Sequence, residues 1–271
     1  MTRITHIRTE SDLDAALAAL VAADPRFDAI IVKGGRPPLR RRADGYVGLA
    51  TTVVSQQLST ASAGAIWARL AAAFDPFEPQ AIIKARPEKL ARLGLSKPKI
   101  RALKEIARAV ARGQPDLATL ADLAAEEAHA ALTAVHGIGP WTADIYLLSC
   151  LGHADAWPAG DLALQEAARL AFGLAERPTT KDMGPLAETW RPHRAVAARV
   201  LWTYYRAVKG REGAPAAPTT SPATAPAAKK SAIAKKPARQ SKTPTRSNKT
   251  TNKKIIRTKI VTQRREKTDA R

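Results

Sequence analysis

The chain has 271 residues, 45% of them hydrophobic, which is enough to bury one large core or two small ones. Its single cysteine, Cys150, excludes a disulfide framework and a four-cysteine zinc or iron–sulfur site, and its apolar neighbours mark it as buried and inert. No window reaches the roughly 18 apolar residues of a membrane span or has the build of a secretory leader, so the sequence reads as a cytoplasmic protein with no membrane partner.

The net charge of +20 is unevenly spread. Residues 213–271 hold 16 Lys and Arg against 2 Asp and Glu, a net of +14, and leave 28 against 22, or +6, on residues 1–212. The C-terminal segment is also rich in Ala, Pro, Thr and Ser, so it is expected to be a disordered basic tail. Such a tail binds polyanions through counterion release, without reading base sequence. Double-stranded DNA is the expected partner and a nucleoid association follows; RNA contact or a solubility role would leave the same composition.

Residues 1–212 read as helix after helix, an all-α domain. Ser11 precedes the amphipathic run Leu13, Leu17, Leu20 and Val21, and Pro25 ends it. The one strand-like stretch is Ala29-Ile30-Ile31-Val32, and the basic segment 33–42 follows as a loop. Tyr46, Leu49, Val53 and Val54 form an apolar series, interrupted by Ser55-Gln56-Gln57-Leu58-Ser59 before Ile66, Trp67 and Leu70 resume helical spacing. Ser59 suits the N-cap of that second helix. Helices over 88–93 and 97–112 end at Gly94 and Gly113, both placed for left-handed C-caps, and residues 117–123 add a turn or two.

A helix from Glu126 then runs through Ala130, Leu132 and Val135 into His136-Gly137-Ile138-Gly139-Pro140-Trp141-Thr142-Ala143. Gly137 and Gly139 allow close backbone approach and positive φ, and Pro140 fits the first helical position. The free amides at Trp141, Thr142 and nearby suit a DNA phosphate, although glycine turns between helices also serve packing alone. About twenty residues on comes Asp155-Ala156-Trp157-Pro158-Ala159-Gly160-Asp161, and then an apolar helix. Asp161 is placed as that helix's N-cap, a position that favours its charged form and is compatible with a chemical role. Asp155 is a weaker second carboxylate, better suited to a turn.

The order Gly-Ile-Gly-Pro-Trp-Thr-Ala, then Asp-x-Trp-Pro-x-x-Asp, resembles the alkylpurine DNA glycosylases of the helix-hairpin-helix superfamily, the 3-methyladenine DNA glycosylase II type. The resemblance extends to Val54-Ser55-Gln56-Gln57-Leu58-Ser59, to Leu93-Gly94-Leu95-Ser96-Lys97-Pro98-Lys99, and to Trp190-Arg191-Pro192-His193-Arg194 with Trp202, covering roughly residues 46–206. It leaves out the tail and the N-terminus, which is too short for the β-rich domain that some relatives carry. It implies a two-lobed, monomeric enzyme that extrudes a damaged nucleotide. Asp161 would be the catalytic carboxylate, and Trp141 and Trp202 would line the base pocket, where an indole face attracts a cationic purine by about 0.5–2 kcal/mol. Trp190 looks structural.

Gln57, with Gln56 beside it, falls where relatives insert a wedge into the duplex. The amides of Gly137, Gly139 and Thr142 would hold phosphate, and Arg191 and Arg194 would contact DNA or serve as surface charges. No cofactor is required, though the carbonyls of Thr133, Val135 and Ile138 match a monovalent cation site of relatives. Relatives that also nick the strand carry a lysine where this chain has Trp141, so hydrolysis alone is expected. Leu162 and Ile145 stand where some relatives have aromatics, which leaves the range beyond 3-methyladenine and 7-methylguanine open. The rival readings are a non-catalytic DNA-binding protein, a lyase acting on oxidised bases, and, more distantly, a carbohydrate hydrolase using Asp155 and Asp161.

Overall fold

The computed structural model describes residues 6–213 and is helical throughout, with twelve α-helices and no strand among the described residues. Helix α1 (Glu10–Ala23) starts two residues earlier than Ser11 suggested. Thr9 is its N-cap, accepting from the Asp12 amide at 3.1 Å, while the Asp12 carboxylate accepts from the Thr9 amide at 2.9 Å. This reciprocal box satisfies two first-turn donors, which Ser11 would not. Asp24 closes α1, and Pro25 begins α2 (Arg26–Gly34).

The strand-like stretch therefore lies inside a helix. Phe27 and Ile30 are buried one turn apart while Val32 is 80% exposed, a helical period that α2 satisfies by packing on α12. Helices α3 (Gly45–Ser55), α4 (Thr60–Ala73), α5 (Pro79–Lys84), α6 (Pro87–Arg92) and α7 (Lys97–Ala111) follow. Ser59 caps α4 by accepting from the Ser62 amide, and Gly94 and Gly113 close α6 and α7 with φ of 107° and 70°.

Helix α8 (Ala125–Thr133) leads through the hairpin to α9 (Pro140–Tyr146), which continues as a π-helical turn, Leu147–Leu151, and stops at left-handed Gly152. The last three are α10 (Leu162–Ala171), α11 (Thr180–Ala187) and α12 (Arg194–Lys209). Cys150 sits in the π-helical turn, fully buried, where loss of hydration pushes its thiol up to about 12 and makes it inert at neutral pH.

Packing sorts the helices into two groups. Helices α1, α2 and α10 pack around α12, with α11 leading into the 3-10 turn, Glu188–Trp190, that joins α1, whereas α3 packs on α4, α7 and α9, α7 on α5 and α6, and α8 on α9. The π-helical turn and residues 152–161 carry the chain from the second group to the first. Trp190 anchors the first group, ringed by Phe27, Phe172 and Trp157. The basic tail expected over residues 213–271 lies outside the described residues apart from Gly213.

Candidate active site

The hairpin closes at Gly137, whose φ of 98° admits the turn and whose ideal Cβ would lie 3.0 Å from the Ala102 Cα of α7. A side chain there would meet both strain and backbone. Gly139 differs from expectation: its φ is −85° and nothing crowds it, so it acts as the extended N-cap residue ahead of Pro140 rather than as a positive-φ hinge.

Asp161 caps α10 as its position suggested. Its Oδ1 accepts from the Leu164 amide at 2.9 Å and from Trp202 Nε1 at 3.1 Å, and its Oδ2 accepts from Trp141 Nε1 at 2.8 Å. Three elements thus converge on one carboxylate, which is 8% exposed. A carboxylate has about four acceptor positions, so one direction stays open. The loop before it is equally constrained. Gln165 Nε2 donates to the Ala159 carbonyl at 2.9 Å, Trp157 Nε1 to that of Met183 at 2.9 Å, and the Ala195 amide to that of Ala154 at 2.9 Å. Rigid second contacts of this kind hold a reacting group in one geometry.

In front of Asp161 lies a cleft of about 530 Å³, walled by Gln56 and Gln57, by Gly139 through Thr142, and by Gly160 through Ala163. Gln57 is exposed and left-handed, with φ of 56°, an uncommon conformation for a residue with a side chain. Gln56 Nε2 donates to Thr142 Oγ1, tying this loop to the start of α9. Leu162 stands at the mouth, 62% exposed.

The two expected pocket tryptophans play unequal parts. Trp141 lines the cleft and turns its N–H to Asp161, while Trp202 is 3% exposed and lies behind the carboxylate. Arg191 and Arg194 stand apart from the cleft and are taken up by carboxylates: Arg194 donates to both oxygens of Asp155 at 2.7 and 2.8 Å, and both arginines reach Glu126. Arg191 also pairs with Asp155 and Glu188. The structure therefore shows them tying α8, the 152–161 loop and α12 together, and Asp155 is a structural partner of these cations. Thr133 is the last residue of α8, Val135 follows its C-cap, and Ile138 lies within the hairpin turn between Gly137 and Gly139. The Val135 carbonyl accepts from the Ile138 amide at 3.0 Å, and no backbone amide among the described residues donates to the other two carbonyls outside a helix.

A model of the HhH-GPD superfamily base excision DNA repair proteins matches residues 50–192, a span that holds the Gln56 loop, the hairpin and Asp161. The chain belongs to this superfamily. An alkylbase DNA glycosidase-like protein of Schizosaccharomyces pombe is 28% identical over 200 residues, covering 71% of this chain and 94% of its own. A Mycobacterium tuberculosis relative, named "Probable bifunctional transcriptional activator/DNA repair enzyme", is 32% identical over 214 residues, covering 75% of this chain but only 42% of its own length. The solved S. pombe 3-methyladenine DNA glycosylase in complex with abasic DNA superposes with a TM-score of 0.63 at 28% identity, over 72% of this chain and 97% of that one. No helix among the described residues is long and apolar enough to cross a membrane.

One feature of this superfamily member gave no sequence signal. Asp144, three residues after Trp141, is largely but not fully buried beside Arg194, with His129 Nε2 at 3.7 Å. Loss of hydration pushes its carboxyl up to about 8, only partly opposed by Arg194. Because the folded state then holds a proton that the unfolded chain has released, stability should fall as pH rises from about 4 through 8. Asp144→Asn should flatten that slope, as read by melting temperature from pH 5 to 9. An unchanged slope would show that Asp144 titrates in the ordinary carboxylate range.

Proposed function

We propose that the chain is a monofunctional DNA glycosylase that hydrolyses the N-glycosidic bond of alkylated purines, 3-methyladenine and 7-methylguanine, in double-stranded DNA. The observation that carries this reading is the Asp161 carboxylate, fixed by three N–H donors at the edge of a cleft that Trp141 also lines. The relatives named above for alkylbase or 3-methyladenine glycosylase activity support the substrate class.

On this reading the hairpin amides near Gly137, Gly139 and Thr142 hold a phosphate. Gln57 enters the stack and the damaged nucleotide swings into the cleft. Alkylation at N3 or N7 leaves the purine cationic, so the C1′–N bond breaks with its electron pair passing to the base, which leaves neutral. Positive charge develops on the sugar, and Asp161 stabilises it from the side the three donors leave open. Water then adds to C1′, its proton passing by way of Asp161 to solvent, as in glycoside hydrolysis.

The residue that would have to be a lysine for a Schiff base is Trp141, so borohydride should trap no covalent DNA adduct. The carbonyls of Thr133 and Val135, at or just past the negative end of α8, and of Ile138 in the turn would offer neutral oxygens, a donor set that fits a monovalent cation. Such an ion would supply charge to the phosphate beside it. Arg191 and Arg194 contribute through the carboxylates they bind.

The assay is release of free 3-methyladenine and 7-methylguanine from methylated duplex DNA, resolved chromatographically. Tight DNA binding with no release would favour a non-catalytic DNA-binding protein. Within the enzyme reading, Trp141→Phe keeps the ring but removes a donor to Asp161. It should slow release about tenfold with little change in DNA affinity. A wild-type rate in that variant would mean that the indole N–H does not hold the carboxylate in place.

A further inference from the structure

Helix α7 begins with Lys97 and Lys99 and carries no acid in its first turn. Cations at a helix N-terminus oppose the dipole, and Lys99 carries a second cost, because burial depresses its pKa and no carboxylate among the described residues pairs with it. Its ammonium is instead bonded to two main-chain oxygens, the Val54 carbonyl at 2.6 Å and the Gln56 carbonyl at 2.8 Å. Val54 lies in the last turn of α3, where carbonyls have no partner within the helix. The chain emerges from this clamp straight into left-handed Gln57, and the Gln56 side chain reaches Thr142 beside Trp141. One turn further along α7, Ala102 lies under Gly137 of the hairpin. A single helix therefore braces two of the three segments that wall the cleft, the Gln56 loop and the hairpin.

We propose that Lys99 is a positioning residue for base extrusion: by clamping the last carbonyls of α3 it holds Gln57 at its angle of entry into the duplex, in fixed register with the hairpin that Ala102 supports. The inference rests on the glycosylase reading for Gln57. Lys99 itself touches neither base nor phosphate. A lysine suits this role, since its three donors can serve two carbonyls at once, and charge-assisted bonds to the end of a helix are the stronger kind.

The test compares wild type, Lys99→Met, Lys99→Arg and Gln57→Ala as full chains. Hydrogen exchange over residues 53–60 in the free protein reads the clamp directly. Single-turnover release from methylated duplex at saturating enzyme reads its consequence, with 2-aminopurine fluorescence beside the lesion reporting extrusion. Lys99→Met should speed loop exchange and slow release, each by about tenfold or more. Its affinity for undamaged duplex should stay within about twofold, because no phosphate contact is lost. Lys99→Arg should restore most of both effects, and adding Lys99→Met to Gln57→Ala should slow release no further, since both act through one side chain.

Unchanged loop exchange in Lys99→Met would overturn the proposal. So would weaker binding to undamaged duplex with a salt slope smaller by about one, the sign of a phosphate ligand. Should Lys99→Met fail to fold, Lys99→Gln, which can still donate to one carbonyl, is read against the same outcomes. A wild type that releases no alkylated base would sink the glycosylase reading while leaving the clamp to be decided by exchange alone.

Discussion

Replacing Asp161 with Asn is expected to lower single-turnover release of 3-methyladenine by about 100-fold or more, while DNA binding is retained or tightened. The magnitude follows from removing a fixed charge, on a residue only 8% exposed, from where positive charge develops on the sugar. Asn caps a helix about as well as Asp, so the Leu164 amide keeps an acceptor and α10 should still begin at Leu162. The geometry also predicts a secondary cost. If the amide oxygen stays on the Leu164 and Trp202 side, its NH₂ faces Trp141 Nε1, donor against donor.

The comparison is made at matched DNA occupancy, because loss of a negative charge near phosphate raises affinity and would mask a slower chemical step. Release by wild type that collapses in Asp161→Asn would establish both the reaction and its carboxylate. Equal release by both would remove Asp161 from the chemistry and leave it a cap.

Trp190→Ala should act on stability instead. The ring is fully buried, edge-on to Phe27 at 5.0 Å and to Trp157 at 5.5 Å, and stacked on Phe172 at 5.6 Å, and its N–H donates to Asp24 Oδ2 at 2.9 Å. Emptying such a site costs about 3–5 kcal/mol. The Asp24 carboxyl, held down at about 2 chiefly by Arg26, loses a further donor in a place where water does not readily replace it. For a domain of this size the melting temperature should fall by roughly 6–20 °C.

The contrast with Trp141 is the informative part. Trp141→Phe should cost rate with little stability, whereas Trp190→Ala should cost stability while the rate per folded molecule, measured well below its melting point, stays close to wild type. A melting temperature within about 3 °C of wild type would show that the aromatic cluster does not anchor the first group of helices.

Much of this was legible along the chain, and the legible features are local ones. Ser59 as an N-cap, Gly94 and Gly113 as C-caps, Pro140 at a first helical position and Asp161 at the head of α10 each depend on bonds that span about five residues or fewer. The spaced motifs from Gln56 to Asp161 likewise placed the chain in its superfamily, because their order is a property of sequence. Where local reading failed, a neighbouring local signal competed. Ser11 looked like a cap until the Thr9 and Asp12 pair satisfied two amides instead, and Ala29 to Val32 resembled a strand until α12 offered the face on which a helix could bury Phe27 and Ile30.

Only the tertiary structure decided how distant side chains are aimed. Trp202 lies 41 residues after Asp161, and nothing nearby in sequence shows that its N–H, rather than its face, turns to the carboxylate. Arg194 and Glu126 are 68 residues apart, so the arginine reads as a free cation until the fold supplies its acids. Lys99 and the carbonyl of Gln56 meet across 43 residues, and a main-chain acceptor leaves no mark on residue type. Caps and turns are chosen by the backbone's own immediate needs, whereas burial, charge pairing and the direction of a ring depend on which helices pack together.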